Sequence, residues 1–176
     1  MPKRWGDTMS KKEAKTTAIR ILEKMNIPYQ AHKYRCDEFH DSLQIADMLG
    51  QPYEKVFKTL VTKGKNGHFV FLIPIHRELD LKAAARSVSQ KSLSMIPVKE
   101  ITAVTGYVRG GCTPLGMKKK FPVVIDKSAL DNEKIIVSAG RIGLQIELAP
   151  NDLARASDAR FESITHKVRR VEPDMV

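Results

Sequence analysis

The chain has 176 residues, which suits one folded domain around a single hydrophobic core and is short for two. Hydrophobic residues make up 42% of the sequence and charged residues 28%, which is typical of a globular protein rather than a disordered or fibrous one. The 30 Lys and Arg residues exceed the 20 Asp and Glu residues, so the formal net charge of +10 favours a polyanionic partner, with nucleic acid as the first candidate.

The distribution of apolar residues argues against a membrane-spanning or a secreted protein. No apolar run is long enough to span a bilayer, and the N-terminal residues lack the apolar core of a secretory signal. The two cysteines, Cys36 and Cys112, are far apart and form no CxxC pair, which argues against a disulfide framework or a zinc ribbon. We therefore expect a cytoplasmic protein that does not bind membranes.

Helical periodicity and capping residues predict five helices. Asp41 and Ser42 compete for the N-cap of the second helix, and Asp80 caps the third. The predicted helices cover residues 11–26, 42–49, 81–88 and 98–105, and the last one opens at Asp152.

Six short β-rich runs lie between the helices. The second and third are predicted to form an antiparallel hairpin, because the Asn66-Gly67 pair between them suits a tight turn. The third is apolar at nearly every position, which predicts a central strand covered on both faces. The predicted strands cover residues 29–34, 57–62, 69–75, 122–126, 134–138 and 144–148.

These elements interleave without a regular βαβ repeat, which predicts an α+β fold with a curved, mixed sheet flanked by helices in one compact domain. We place the domain at residues 11–165. Residues 1–10 are expected to be a flexible extension and residues 166–176 a flexible basic tail.

His32, Cys36 and His40 are spaced four residues apart and would share one face of a helix, where they could bind zinc. The stretch follows a predicted strand and has no helical periodicity, so nothing aligns the three side chains. We expect neither a metal nor a cofactor.

Lys58 lies in a predicted strand between apolar residues. Strand alternation favours a solvent-facing Lys58 with Phe57 on the buried side. The alternative is a buried ammonium, which needs a partner or a ligand because charge is costly to desolvate.

The segment GGCTPLGMKKK, residues 110–120, combines three glycines, a cysteine and three lysines. Cys112 could be a nucleophile only if a base kept it as a thiolate, and none of the five histidines can be assigned to it. The glycine-rich turn could instead expose backbone N–H groups to a phosphate or an oxyanion. Lys118, Lys119 and Lys120 are either a nucleic-acid contact or a solvated run.

Four ordered motifs carry a family resemblance. They are VFKTL at residues 56–60, ELDLK at residues 78–82, TGYVRGGCTPLG at residues 105–116 and GLQIEL at residues 143–148. Together they resemble the YbaK/EbsC family of aminoacyl-tRNA deacylases over about residues 15–164. The family is related to the editing domain of bacterial prolyl-tRNA synthetases and has a compact α+β fold with a curved mixed sheet.

The resemblance implies a trans-editing deacylase that clears mischarged tRNA, above all Cys-tRNA(Pro), and Cys-tRNA(Cys) more generally. Its partners would be aminoacylated tRNA and, as a possible associate, prolyl-tRNA synthetase. The attacking group is expected to be the thiol of the substrate's own cysteine, which leaves as a cyclic thiolactone, so that the protein contributes proximity and electrostatics. Cys112 would then be dispensable, while Lys118, Lys119 and Lys120 would face the acceptor stem.

The same resemblance assigns site residues. Lys58 would point into the pocket and help to hold the aminoacylated 3′-adenosine, and the loop around the ester would use Gly110, Gly111 and Pro114. The substrate-binding residues would be Tyr34, Phe57, Thr113, Ser138 and Gln145.

Two positions depart from the family pattern. Ala139 stands in place of a glycine, and Gln145 stands where the family has an aspartate that could anchor the substrate's α-ammonium. A glutamine can still accept a hydrogen bond, without the strength that charge adds. Two alternatives therefore stay open: a tRNA-binding or synthetase-associated protein without catalysis, and a thiol-dependent hydrolase that uses Cys112.

Overall fold

The computed structural model of the protein describes residues 14–35 and 41–167. Its secondary structure confirms the α+β class. The helices are α1 (Thr17–Lys24), α2 (Ser42–Met48), α3 (Leu81–Ser87), α4 (Ile101–Thr105) and α5 (Pro150–Ser157). The strands are β1 (Gln30–Lys33), β2 (Phe57–Gly64), β3 (Gly67–Pro74), β4 (Arg77–Leu79), β5 (Ser94–Met95), β6 (Val123–Asp126), β7 (Ile135–Arg141), β8 (Leu144–Leu148), β9 (Ala159–Glu162) and β10 (Thr165–Lys167).

The predicted mixed sheet is present and has five strands in the order β5-β2-β3-β6-β9. Its β5-β2-β3 part is antiparallel, whereas β3, β6 and β9 run parallel to one another. A second, antiparallel sheet has the order β1-β8-β7, and β10 pairs with β4. One parallel bridge, between Val56 and Ile136, connects the start of β2 to β7. The two sheets therefore meet at the N-terminal end of β2.

The β2–β3 hairpin is confirmed, and β3 lies centrally with its residues buried from Phe69 to Pro74. The turn itself consists of Lys65 and Asn66, because Gly64 already pairs with Gly67. Gly67 opens β3 with a φ of 128°, a conformation that a side chain would strain. The predicted Asn-Gly pair is thus split between the turn and the strand.

Capping decides where the helices begin. Asp41, rather than Ser42, caps α2, because its carboxylate accepts from Gln44 N while the Gln44 side chain accepts from Asp41 N, each at 2.9 Å. The Asp80 carboxylate accepts from the first turn of α3, as predicted.

Three helices differ from prediction in their starting residues. Helix α4 begins at Ile101, because residues Val98–Glu100 of the predicted helix form a 3-10 turn. Helix α1 begins at Thr17 under a Thr16 cap, and residues 14–16 are not helical. Residues 11–13 of the predicted helix lie outside the described part, as do the proposed extension of residues 1–10 and residues 168–176 of the proposed tail. The first two residues of that tail, His166 and Lys167, belong to β10 and pair with β4. Helix α5 begins at Pro150, two residues before Asp152, because proline fits the first helical position.

The largest core lies between the two sheets and their helices. It joins Leu22 of α1, Leu72 of β3, Ile146 of β8 and Leu153 of α5, all fully buried. A second cluster covers the other face of the five-stranded sheet with α3. Ala46, Val56, Ile75 and Ile136 form a third cluster, which packs α2 against the place where the sheets meet. No helix of the described residues is long and apolar enough to cross a membrane.

Candidate functional site

A cavity of about 430 Å³ opens where β2 meets β7 and β8. Its volume falls in the range of small-ligand pockets. The wall combines β2, the N-terminal end of α2, the segment from β5 to α4, and the loop that follows α4. Six of the predicted site residues line it: Tyr34, Phe57, Lys58, Gly110, Ser138 and Gln145. Residues that are distant in sequence are thus brought together at the meeting point of the sheets.

Lys58 lies half-buried on the cavity wall, the position that the family resemblance implies and strand alternation disfavours. Burial lowers the pKa of its ammonium, and the charge of Glu78 partly offsets that effect. Within the part of the chain that the structure describes, Lys58 has no hydrogen-bonding or ion-pair partner. A desolvated cation without a partner is suited to an anionic ligand or to negative charge that develops during a reaction.

The loop after α4 reaches the cavity through its backbone. Gly110 lines it with a φ of 87°, in the left-handed region that favours glycine. A Cβ on Gly111 would lie 3.0 Å from Arg141 Cα and 3.1 Å from Ile142 N, so this loop rests directly on the backbone of the β7–β8 turn. The Gly111 N–H donates to Val108 O at 2.9 Å. Gly111 is therefore committed to holding the loop.

Thr113 and Pro114 are buried and, like Gly111, do not line the cavity. The Thr113 hydroxyl accepts from Leu115 N at 3.4 Å, within the loop itself. The Thr113 hydrogen bond supports the conformation of the loop, and direct contact of Thr113 or Pro114 with a substrate stays a prediction.

Cys112 lines the cavity with its side chain 9% exposed. Burial raises the pKa of its thiol to about 11, although a hydrogen bond with Thr105 acts in the opposite direction. The thiol is therefore protonated near neutral pH, which argues against Cys112 as a nucleophile.

Counting only partners among residues 14–35 and 41–167, three buried oxygen atoms on the cavity wall have no hydrogen bond: Thr59 Oγ1, Ser138 Oγ and Gln145 Oε1. Ser138 and Gln145 lie directly opposite each other in the β7–β8 ladder. Buried polar atoms are nearly always paired in folded proteins, so a group of three around one cavity points to a ligand with hydrogen-bond donors. Thr59 was missed by sequence reasoning, although it follows Lys58 in the KTL motif.

Glu147 lies two residues from Gln145, and hence on the same face of β8. Its side chain is 9% exposed, and its carboxylate binds His32 Nε2 at 2.7 Å and Lys55 Nζ at 2.5 Å. Burial raises the pKa of Glu147, but the hydrogen bonds from Lys55 and His32 outweigh this and lower it overall. Glu147 is therefore an ionised, fully partnered anchor next to the unpaired Gln145.

The structure does not test the spacing of His32, Cys36 and His40, because only His32 lies among the described residues. His32 is bound to Glu147, while Cys36 and His40 lie outside the described part. Across residues 14–35 and 41–167, no group of three His, Cys, Asp or Glu residues could hold a metal ion.

The three lysines that follow the loop lie on the surface, away from the cavity lining. Lys118 Nζ donates to Ala103 O of α4 at 3.4 Å, and Lys120 forms an exposed ion pair with Asp158 at 3.0 Å. Such a pair contributes little to stability and yields readily to a competing phosphate. Lys119 is exposed as well.

Two further charged residues line the cavity, Arg109 and Asp41. Arg109 directly precedes Gly110, and that adjacency could have identified it from sequence. Asp41 could not be found in this way, because its carboxylate already has a structural explanation as the cap of α2.

The aminoacyl-tRNA editing domain family matches residues 36–156, a span that contains most of the cavity lining. The chain belongs to this family and is, by class, an editing domain that deacylates aminoacyl-tRNA.

Among individual relatives, the chain is 43% identical over 159 residues to an Enterococcus faecalis protein named "Putative Cys-tRNA(Pro)/Cys-tRNA(Cys) deacylase EbsC". That match covers 89% of this chain and 97% of the relative. A proline–tRNA ligase of Fervidobacterium nodosum is 36% identical over 74 residues, which are 42% of this chain and only 13% of the ligase.

A solved structure described as "a putative trans-editing enzyme for prolyl tRNA synthetase" superposes with a TM-score of 0.76 at 22% identity. The superposition covers 88% of this chain and 99% of that one. At this level of identity, the likeness establishes the shared fold.

Proposed function

We propose that this protein acts in trans, in the cytoplasm, to remove cysteine from mischarged tRNA, with Cys-tRNA(Pro) as its main substrate. The observation that supports the proposal is the cavity itself, where Lys58 shares a wall with the Ser138 and Gln145 oxygens, none of them partnered by a residue that the structure describes. A cation at one place and hydrogen-bond acceptors at another suit an aminoacylated nucleotide, which is anionic at its phosphate and cationic at its α-ammonium.

Each group then has a role in binding. Lys58 attracts the 3′-terminal nucleotide, and the Ser138 and Gln145 oxygens accept hydrogen bonds from the α-ammonium. Because the Gly111 N–H is already bonded to Val108 O, the N–H groups of Gly110 and Cys112 are the loop's candidate donors to the ester carbonyl. These contacts fix the ester in one orientation without a catalytic acid or base.

The chemical step uses the substrate's thiol. Its sulfur attacks the ester carbonyl carbon, the bond from that carbon to the ribose oxygen breaks, and the thiol proton ends on the ribose hydroxyl. The products are a cyclic thiolactone and uncharged tRNA. The protonated state of Cys112 is consistent with this route, since the protein has no thiolate to offer there.

The decisive measurement is the rate of deacylation of Cys-tRNA(Pro), Ser-tRNA(Pro), Ala-tRNA(Pro) and Pro-tRNA(Pro). We expect Cys-tRNA(Pro) to react fastest, because serine presents a far weaker nucleophile in the same position. Equal rates for the cysteinyl and seryl substrates would reject the thiol route, and no deacylation of any mischarged tRNA would reject the function.

Lys58→Met tests the site, with Lys63→Met on the same strand as its matched control, since Lys63 is exposed and does not line the cavity. Removing a preorganised charge from a reaction site typically costs about 100-fold in rate or more. We expect such a loss for Lys58→Met with no loss of thermal stability, because a desolvated charge is removed, and near-unchanged activity for Lys63→Met.

One observation favours a second function. Gln145 lacks the charge that would strengthen binding of an α-ammonium, so the cavity could bind the tRNA end without turnover, alone or beside prolyl-tRNA synthetase. This alternative predicts salt-sensitive tRNA binding in the absence of any deacylation.

A further inference from the structure

Two exposed apolar side chains border the cavity, and we call them the apolar ledge: Met95 and Val98. Both line the cavity, and they are 45% and 55% exposed, whereas Ile96 between them is 8% exposed and turned inward. Single exposed apolar residues need no explanation. Two on the lining of a cavity that also holds Lys58 form a surface that a bound ligand would cover.

The ledge is held in place by the fold. Met95 pairs with Thr62 of β2, and Ile96 N donates to Val61 O at 3.2 Å. Pro97 then fixes the chain direction before a short 3-10 turn that begins at Val98. The ledge is therefore a preformed surface that needs no reorganisation to receive a ligand.

The cavity that the ledge borders carries more positive than negative charge. Among the described residues of its lining, Lys58 and Arg109 are the cations and Asp41 is the acidic residue. Lys99 follows the ledge directly and is exposed, and Arg109 lines the same cavity. Apolar surface within a basic region suits the end of a nucleic-acid strand, because phosphates meet the cations while a flat base covers the apolar atoms.

We propose that the apolar ledge seats the terminal adenine base of the tRNA acceptor end. The proposal rests on the proposed function: the ester that reacts is carried by the ribose of the last nucleotide, so its base must lie beside the cavity whenever the ester lies inside. Lys58 is a half-buried part of the lining, while Met95 and Val98 are its exposed apolar part. The base and the aminoacyl group thereby occupy separate parts of one site.

The test uses two acceptor-stem RNA microhelices that carry no amino acid. One ends in CCA and the other has an abasic last nucleotide, and binding is measured by fluorescence anisotropy. We expect the wild-type protein to bind the CCA form about fivefold more tightly, the order expected for covering part of two apolar side chains. The double variant Met95→Ser/Val98→Ser should bind both forms alike, at the weaker level. Leu130→Ser is the matched control, since Leu130 is also 45% exposed and does not line the cavity.

Three results would overturn the ledge proposal: no measurable binding of the CCA microhelix, equal affinity of the wild type for both microhelices, or a double variant that still prefers the CCA microhelix to the abasic one. Since neither microhelix carries an amino acid, the binding measurement is independent of deacylation. Deacylation without a base preference removes only the ledge proposal, and a base preference without deacylation removes only the proposed function.

Discussion

Replacing Cys112 with alanine should leave deacylation nearly intact while changing the alkaline stability of the protein in a calculable way. Burial raises the pKa of the thiol from 9.0 to about 11. At a given pH below both values, the thiolate population is therefore about 100-fold smaller than that of an ordinary cysteine, and alkylation by iodoacetamide should slow by the same order. The protein for this experiment carries Cys36→Ser, so that Cys112 is its single cysteine.

The sign of the stability effect follows from the direction of the shift. Below pH 9 the thiol is protonated in both the folded and the unfolded state, so it contributes no pH dependence. Above pH 9 the unfolded state loses its proton first, which favours unfolding until the folded thiol ionises as well. At about pH 10 this costs the folded protein about 1.4 kcal/mol, or a Tm decrease of about 3–5 °C for a chain of this size.

The alanine variant has no thiol at this position and therefore lacks the alkaline loss of stability. Its shorter side chain leaves a small cavity, which lowers the free energy of unfolding by about 1 kcal/mol at all pH values. Calorimetry should therefore find the variant less stable than its parent at neutral pH and equal or slightly more stable at about pH 10. A Tm difference that stays constant between the two pH values would refute the reasoning. So would rapid iodoacetamide labelling of Cys112 accompanied by loss of activity, which would support the thiol-dependent hydrolase instead.

Two further predictions concern the supports of the site. Gly111→Ala should reduce kcat/KM about 10- to 100-fold, because its Cβ would collide with the backbone at Arg141 and displace the loop. Its control is Gly67→Ala, where the new Cβ strains the backbone but meets open space, so that this variant should lower the Tm with no effect on activity. Equal losses of activity in the two variants would contradict the prediction. Glu147→Gln should lower the free energy of unfolding at neutral pH by about 1–3 kcal/mol, since Lys55 loses its buried partner. Because the pKa of Glu147 is lowered on folding, the difference in the free energy of unfolding between the wild type and Glu147→Gln should shrink as pH falls below 4.5. A difference that stays constant through acid titration would argue against an ionised Glu147.

The regular elements could be predicted from sequence because each carries a local signal. Strand β3 is apolar from Phe69 to Pro74, and Asp80 and Pro97 are typical of the residues that precede a helical segment. Strands β4, β5, β9 and β10 were missed, since two to four residues are too few to show alternation, and their pairing depends on partners elsewhere in the chain.

The site was predictable only in part, for a related reason. Periodicity shows which strand residues share a face, but it does not show that a face borders a cavity. Strand alternation alone therefore predicts a solvent-facing Lys58, and only the family motifs imply its place in the pocket. The anchor at Glu147 was beyond local reasoning, because its partner His32 lies 115 residues away. The motif predicts a catalytic role for Gly111, and its close approach to the β7–β8 turn adds a structural role in holding the loop.

Gln145 stands where the family resemblance implies an aspartate, and this difference would affect the whole cavity. A carboxylate there would share the wall with Lys58 and could neutralise it, and it would lie two residues from the ionised Glu147 on the same strand face, where like charges repel. A neutral amide avoids both effects and leaves the Lys58 charge available to the nucleotide. In the proposed reaction, this chain would thus bind the α-ammonium more weakly and the anionic end more strongly than a relative with aspartate. Its selectivity for cysteine would then depend less on the amine and more on the reacting thiol.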